Sequence, residues 1–142
     1  MTLYSEGYIV SHTFANGKGV ISLNHELSRT SDWFRATNVM SKVIFPNTLK
    51  IVGSYSFFSC KARSIELQNL IEQIGVYAFR GTTNLATLII KSETPPSLAE
   101  NAFYQTSNSL KIYVPDESVD VYKAAENWSY IADKIFPISD LQ

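Results

Sequence analysis

The chain has 142 residues with 12 basic and 13 acidic side chains, so its net charge is −1, which argues against a nucleic acid partner that needs a basic face. Apolar residues make up 45% and charged residues 18%, a composition typical of one folded domain over residues 1–142. Cys60 is the single cysteine, which excludes an intramolecular disulfide, and no run of about 18–20 apolar residues predicts membrane insertion.

Residues 1–23 carry a β-hairpin signal. Two β-rich runs, at residues 8–14 and 20–23, flank an Asn16-Gly17 pair, which is the strongest short-range hairpin signal. We expect this hairpin to cover the N-terminal end of a core formed by the residues that follow. The first residues lack the basic and apolar regions of a secretory signal, so the route of export stays open.

A repeat of about 23 residues organises residues 24–115. Phenylalanines recur at separations of 23, 22 and 24 residues, at Phe34, Phe57, Phe79 and Phe103. A small residue follows each of them by three positions, at Thr37, Cys60, Thr82 and Thr106. Apolar pairs at i and i+2 share the period, and each predicts a short strand with one buried face. These pairs are Ile21/Leu23, Val43/Phe45, Ile65/Leu67, Leu88/Ile90 and Ile112/Val114.

The remainder of each repeat predicts how the chain returns. A second extended segment occupies residues 49–53 and again residues 71–75, and its last residue, Gly53 or Gly75, would permit a bend. A small residue beside a phenylalanine, as in Ala78-Phe79, then favours a helical turn that closes the coil. No single coil can bury its own apolar face, so the coils are predicted to stack as a solenoid of about four coils of 22–24 residues, with the phenyl rings superposed.

Residues 116–142 predict a helical cap at the other end. Asp116 is a candidate N-cap, and apolar residues recur every three positions, as expected for a short amphipathic helix. They are Val119, Tyr122, Ala125 and Trp128. Residues 135–138 are predicted to return as a last extended segment.

The repeat resembles the BspA-like leucine-rich repeats of bacterial surface proteins. The matching stretches are Val43-Ile44-Phe45-Pro46-Asn47, Phe57-Phe58-Ser59-Cys60 and Ile74-Gly75-Val76-Tyr77-Ala78-Phe79, together with a C-terminal run over residues 94–137. The resemblance covers residues 21–138. It implies a β-rich α/β leucine-rich-repeat solenoid, a cell-surface or extracellular location and binding of protein or matrix ligands.

Side chains alternate across a strand, so one outward residue lies between the two members of each apolar pair. This outward row is Ser22, Ile44, Glu66, Ile89 and Tyr113, and a second row precedes the pairs at Val20, Lys42, Ser64, Thr87 and Lys111. From these rows the predicted ligand-binding residues are Lys42, Ile44, Glu66, Ile89, Lys111 and Tyr113. Ile44, Ile89 and Tyr113 are expected to face water, either as an interaction patch or as ordinary surface apolar residues. Tyr55 and Tyr77 mark a second candidate face.

Catalytic and metal-binding patterns are weak in this sequence. Cys60 could pair with His12 or His25 as a thiol and imidazole, but its place in the column of small residues favours a buried apolar role. Two histidines and one cysteine fall short of a spaced zinc pattern, and no phosphate loop or nucleophile elbow is present. We therefore expect no catalytic residue, metal or cofactor.

The leading hypothesis is a non-enzymatic recognition or adhesion module that binds a protein, matrix or glycan partner through the sheet of repeats. The alternative is a structural or decoration component of a larger assembly, such as a phage particle or fibre, which would place the protein in a virion. An enzyme is a distant third. The ligand and the oligomeric state stay open at this point.

Overall fold

In the computed structural model, residues 9–15, 18–23, 28–30, 34–36 and 42–141 are described. Most of the regular structure consists of short strands that recur with the sequence repeat. The strands are β1 (Ile9–Ala15), β2 (Lys18–Leu23), β3 (Arg29–Thr30), β4 (Lys42–Ile44), β5 (Ile51–Val52), β6 (Ser64–Leu67), β7 (Gln73–Ile74), β8 (Thr87–Ile90), β9 (Ser97–Leu98), β10 (Lys111–Val114) and β11 (Ile135–Pro137). One α-helix, α1 (Val119–Ala124), lies among 3-10 segments at Asp116–Ser118, Trp128–Lys134 and Ile138–Asp140.

Four of the five predicted apolar pairs mark strands of a parallel sheet in the order β11-β10-β8-β6-β4, whereas Ile21 and Leu23 lie in β2, which pairs with β1. The register of the parallel sheet matches the sequence repeat, because Ile65 lies opposite Leu88 and Leu88 opposite Ile112. All three side chains are fully buried. A residue of one coil therefore packs against its equivalent in the next coil, as a stacked solenoid requires.

The second extended segment forms another parallel sheet, in the order β3-β5-β7-β9. The reason predicted for its terminal glycine is wrong. Of the glycines described, Gly81 is the one with a positive φ, so Gly75 is not needed for a left-handed bend. Instead, a Cβ on Gly75 would lie 2.7 Å from the backbone nitrogen of Ser54. Glycine is needed there because the backbones of neighbouring coils approach closely.

The side of the solenoid that carries the phenylalanines consists of consecutive tight turns, so the predicted helical turn is wrong. The N–H of Phe58 donates to the carbonyl of Tyr55 and that of Cys60 to the carbonyl of Phe57, at 3.1 and 2.9 Å. Tyr55 and Ser59 have φ values of 59° and 54°, and these left-handed residues interrupt any helix. The turns also bond between coils, since the N–H of Phe57 donates to the carbonyl of Ala78 at 2.7 Å.

The predicted superposition of the phenylalanines is confirmed. Ring centroids lie 5.1 Å apart for Phe34 and Phe57, 5.1 Å for Phe57 and Phe79, and 5.0 Å for Phe79 and Phe103, with planes within 6° of parallel. Phe45, which directly follows β4, meets the rings of Phe34 and Phe57 edge-on. Parallel and edge-on contacts are both favoured arrangements of aromatic rings, and they fill the interior of the solenoid.

The C-terminal segment covers the end of this stack. The ring of Trp128 lies 5.9 Å from Phe103, and its indole N–H donates to the carbonyl of Pro96 at 2.8 Å. The hydroxyl of buried Tyr122 donates to the carbonyl of Ser92, also at 2.8 Å. Burial is the main reason that the pKa of Tyr122 is raised, and the phenol stays protonated as the donor.

The predicted cap differs in detail from the observed one. α1 ends at Ala124, because the backbone of Ala125 is extended; a 3-10 segment then begins after Asn127, which adopts a left-handed conformation. Asp116 forms no N-cap bond; its Oδ1 accepts a hydrogen bond from the N–H of Ser139 at 3.1 Å. The predicted last extended segment is present, because β11 pairs with β10 as a fifth parallel strand.

β1 and β2 form the antiparallel pair that the hairpin signal predicts, with Ala15 opposite Lys18. Among the described residues β2 pairs with β1, and the five-stranded sheet ends at β4. The capping role predicted for the hairpin depends on side chains that lie outside the described residues. The same holds for the outward positions Val20 and Ser22.

Candidate functional site

The structure brings the six predicted ligand-binding residues together on the outer side of the five-stranded sheet. Here this surface is called the sheet face. In one row Ile44 lies opposite Glu66, Glu66 opposite Ile89, and Ile89 opposite Tyr113. Lys42 and Lys111 belong to the parallel row, connected through Ser64 and Thr87. Neighbouring strands lie about 4.8 Å apart, so five strands provide a flat surface roughly 19 Å across.

Two of the three large apolar residues predicted to face water are covered. Ile44 is 42% exposed, whereas Ile89 and Tyr113 are each 8% exposed. Tyr113 lies between β8 and β11 and packs with the ring of Phe136 at 6.2 Å, and Ile89 has neighbours in register on both sides. Strand alternation correctly predicted the side of the sheet on which Ile89 and Tyr113 lie, but it did not predict that neighbouring residues bury them. The accessible apolar part of the sheet face is therefore at Ile44.

Charge on the sheet face is centred on Glu66. Its Oε1 lies 2.7 Å from the Nζ of Lys91 and also accepts a hydrogen bond from the amide of Gln68 at 3.2 Å. Burial acts to raise the pKa of Glu66, but the bonds from Lys91 and Gln68 and the charge of Lys42 outweigh it and hold the pKa below its ordinary value. With Lys91 paired to Glu66, Lys42 and Lys111 give the sheet face an excess of positive charge.

The tight turns form a second surface, here called the turn face. It consists of Arg35, Tyr55, Phe58, Tyr77, Arg80 and Tyr104. Tyr55 and Tyr77 were expected there, and their rings lie 5.5 Å apart. The other four residues were missed, although the position after each phenylalanine alternates between arginine and an aromatic residue along the sequence. That alternation was the available signal.

Arginines and aromatic rings of the turn face contact one another across the coils. The Cζ of Arg80 lies 5.5 Å from the ring of Phe58, 4.9 Å from that of Tyr77 and 5.4 Å from that of Tyr104. Arg35 lies over Phe58 at 4.9 Å in the same way. Such cation–π contacts contribute about 0.5–1 kcal/mol each at exposed sites, so they also stabilise the stack of turns.

A cleft of about 370 Å³ lies between the last stacked turn and the C-terminal segment, and it is here called the C-terminal cleft. Its walls include Glu100, Asn101 and Tyr104 on one side and Asn127 and Tyr130 on the other. The sequence repeat does not reveal this cleft, because one wall belongs to the last phenylalanine turn and the other to the C-terminal segment, which does not share the repeat.

Catalytic chemistry has little support in the described residues. Cys60 is fully buried, and burial is the main reason that the pKa of its thiol is raised, which keeps the sulfur in its unreactive form. His25, its suggested partner, lies outside the described residues, and of His12 only the backbone is described. Within the described ranges, no group of three or more His, Cys, Asp or Glu side chains is placed to hold a metal ion.

Comparison with known proteins agrees with the stacked architecture. The family model for the BspA type leucine rich repeat region matches residues 8–138, in six copies. The chain belongs to this family. The six BspA-type copies exceed the four coils predicted from the phenylalanines, and β11 shows one way in which a strand can join the array without a phenylalanine turn of its own. No curated protein matches the chain.

Within the described part of this BspA-type chain, no helix has the length and apolar character needed to cross a bilayer.

Proposed function

We propose that this BspA-type chain is a non-catalytic recognition module of a bacterial cell surface, and that its sheet face binds a protein partner. Membership of the family supports the general class, because BspA-type repeats are commonly surface binding modules. The observation that carries the proposal is the alignment of Lys42, Ile44, Glu66 and Lys111 on one rigid sheet. The backbone of each strand in that sheet is hydrogen-bonded to the neighbouring strands, so little conformational entropy is lost when a partner binds.

The sheet face favours a partner of particular chemistry. Exposed Ile44 provides an apolar contact, and Lys42 and Lys111 carry positive charge on either side of the paired Glu66 and Lys91. A protein surface that presents acidic side chains around an apolar centre is complementary to this arrangement. Ile89 and Tyr113 are largely covered, which leaves Ile44 as the apolar contact of the sheet face.

The experiment is a pull-down from the native source with the wild-type chain and two variants. In the first variant, Lys42→Glu and Lys111→Glu reverse the charge of the sheet face. The matched control, Lys50→Glu with Lys123→Glu, also reverses two exposed positive charges, but both lie outside the sheet face. We expect the same partner to be captured by the wild type and the control and to be lost from the double variant.

Two results of the pull-down test the proposal: which protein is captured, and whether the double variant still captures it. Equal capture by the double variant would mean that the sheet face is not the binding surface. Capture of capsid, tail or fibre subunits would favour the alternative of a structural component in a larger assembly.

A further inference from the structure

The C-terminal cleft has the size and composition of a small-ligand site. Its volume of about 370 Å³ falls within the roughly 300–1,000 Å³ of such sites. Half-buried Phe103 contributes to the cleft beside the polar side chains of Glu100, Asn101 and Asn127. An apolar lining with a few polar groups is the usual combination in sites that bind organic molecules.

Two exposed tyrosines line the cleft. Tyr104 is 50% exposed and Tyr130 is 84% exposed, so both present large ring faces to the solvent. A tyrosine ring offers an apolar face together with a hydroxyl that can donate or accept a hydrogen bond. The C–H face of a pyranose ring packs on such an aromatic face, while its hydroxyls need polar partners. The cleft supplies both.

One polar side chain of the cleft, that of Asn127, is held in position. The amide nitrogen of Asn127 donates to the carbonyl of Leu98 at 2.7 Å, which fixes the side chain and leaves its Oδ1 as an acceptor. Glu100 is exposed and provides carboxylate oxygens that accept hydrogen bonds from hydroxyls. A fixed acceptor loses little freedom when a ligand binds.

Arg80 extends this site beyond Tyr104 along the turn face. Its guanidinium packs against the rings of Phe58, Tyr77 and Tyr104. Among the residues that the structure describes, no carboxylate forms an ion pair with it. A guanidinium whose faces contact rings still presents its N–H edge, which binds carboxylate or sulfate groups in a bidentate manner.

We propose that the C-terminal cleft binds an acidic saccharide. A sugar ring packs against Tyr104 and Tyr130, its hydroxyls bond to Glu100 and Asn127, and a sulfate or carboxylate group on the saccharide bonds to Arg80. This site is separate from the sheet face, so a saccharide and a protein partner can be bound by different surfaces of the same chain.

The test is calorimetric titration of the full chain at about 150 mM salt, where attraction between exposed charges more than about 8 Å apart is largely screened. The probe is a heparin-derived tetrasaccharide, which carries sulfate and carboxylate groups, and maltotetraose is the uncharged comparison. We expect the heparin fragment to bind and maltotetraose to bind at least about tenfold more weakly, a difference of roughly 1.4 kcal/mol.

Three variants locate the site. Tyr130→Ala removes the most exposed ring of the cleft and should weaken heparin-fragment binding about tenfold. Because the ring is exposed, this variant should fold normally. Arg80→Gln should have a similar effect, whereas Lys50→Gln removes one positive charge from another surface and should leave affinity unchanged. The Lys42→Glu and Lys111→Glu variant should also retain saccharide binding, which separates this proposal from that for the sheet face.

Several results would overturn the saccharide proposal. They are absence of binding by the wild type, equal affinity for maltotetraose, unchanged affinity in Tyr130→Ala, and equal weakening by Arg80→Gln and Lys50→Gln. The last result would mean that overall charge, rather than the guanidinium held by the three rings, attracts the heparin fragment.

Discussion

The stack of phenyl rings predicts a loss of stability that depends on position in the stack. Phe79 is fully buried and contacts a parallel ring on each side, at 5.1 and 5.0 Å. Truncation of a buried phenylalanine costs about 3–5 kcal/mol, and the two stacked neighbours place Phe79→Ala near 5 kcal/mol. At roughly 2–4 °C per kcal/mol, the melting temperature should fall by about 10–20 °C.

Phe103 provides the internal comparison. It is only partly buried and has one parallel phenyl neighbour, with the indole of Trp128 on its other side. Phe103→Ala should therefore cost about 2–3 kcal/mol. Phe79→Leu keeps most of the volume and should cost less than about 1.5 kcal/mol.

Urea unfolding of the three variants and the wild type, followed by circular dichroism, measures these differences. The midpoints should fall in the order Phe79→Leu, Phe103→Ala and Phe79→Ala. Equal losses for the two alanine variants would refute the reasoning, because the depth of a ring in the stack would then have no energetic meaning.

Three further predictions concern the sheets. Ile89 and Ile44 share a row of the sheet face but differ in exposure. In urea unfolding, Ile89→Ala should therefore lower the free energy of unfolding by about 2 kcal/mol, and Ile44→Ala by less than about 0.5 kcal/mol. Gly75→Ala should cost about 1–3 kcal/mol in thermal unfolding, because the added Cβ meets the backbone of the neighbouring coil. Lys91→Met should cost about 1 kcal/mol at neutral pH, measured across pH by urea unfolding, and this cost should shrink as acid protonates Glu66.

The sign of the last prediction follows from the lowered pKa of Glu66. A carboxyl whose pKa is lower in the folded than in the unfolded chain adds stability above its unfolded pKa and loses it as the pH falls through its folded pKa. A cost of Lys91→Met that stays constant from about pH 7 to pH 3 would contradict the role given to the ion pair. Equal losses of unfolding free energy in Ile89→Ala and Ile44→Ala would contradict the observation that Ile89 is buried and Ile44 is exposed.

Periodicity predicted the parts of the fold that recur. The phenylalanine column and the apolar pairs recur because each coil must bury the same apolar side against its neighbours. The turns were predicted less well, because Tyr55 and Tyr77 adopt left-handed conformations that their residue type does not indicate. Gly75 was identified as special for the wrong reason, since close approach between coils is invisible in a single repeat.

The candidate sites were predictable to different degrees. Alternation along a strand placed Ile44 and Tyr113 on the same side of the sheet, but exposure depends on neighbours such as Phe136 from a distant part of the chain. The C-terminal cleft was out of reach, because Tyr104 and Tyr130 come together only through the way Trp128 anchors the last segment.

The repeated contacts between coils have a consequence for how such a chain can change in length. Removal of residues 57–78 would place Phe79 directly after Ser56, in the position that Phe57 held, and β8 would take the place of β6 beside β4. Unequal recombination between repeats can therefore lengthen or shorten the protein by whole coils. The width of the sheet face would change by one strand at each such event.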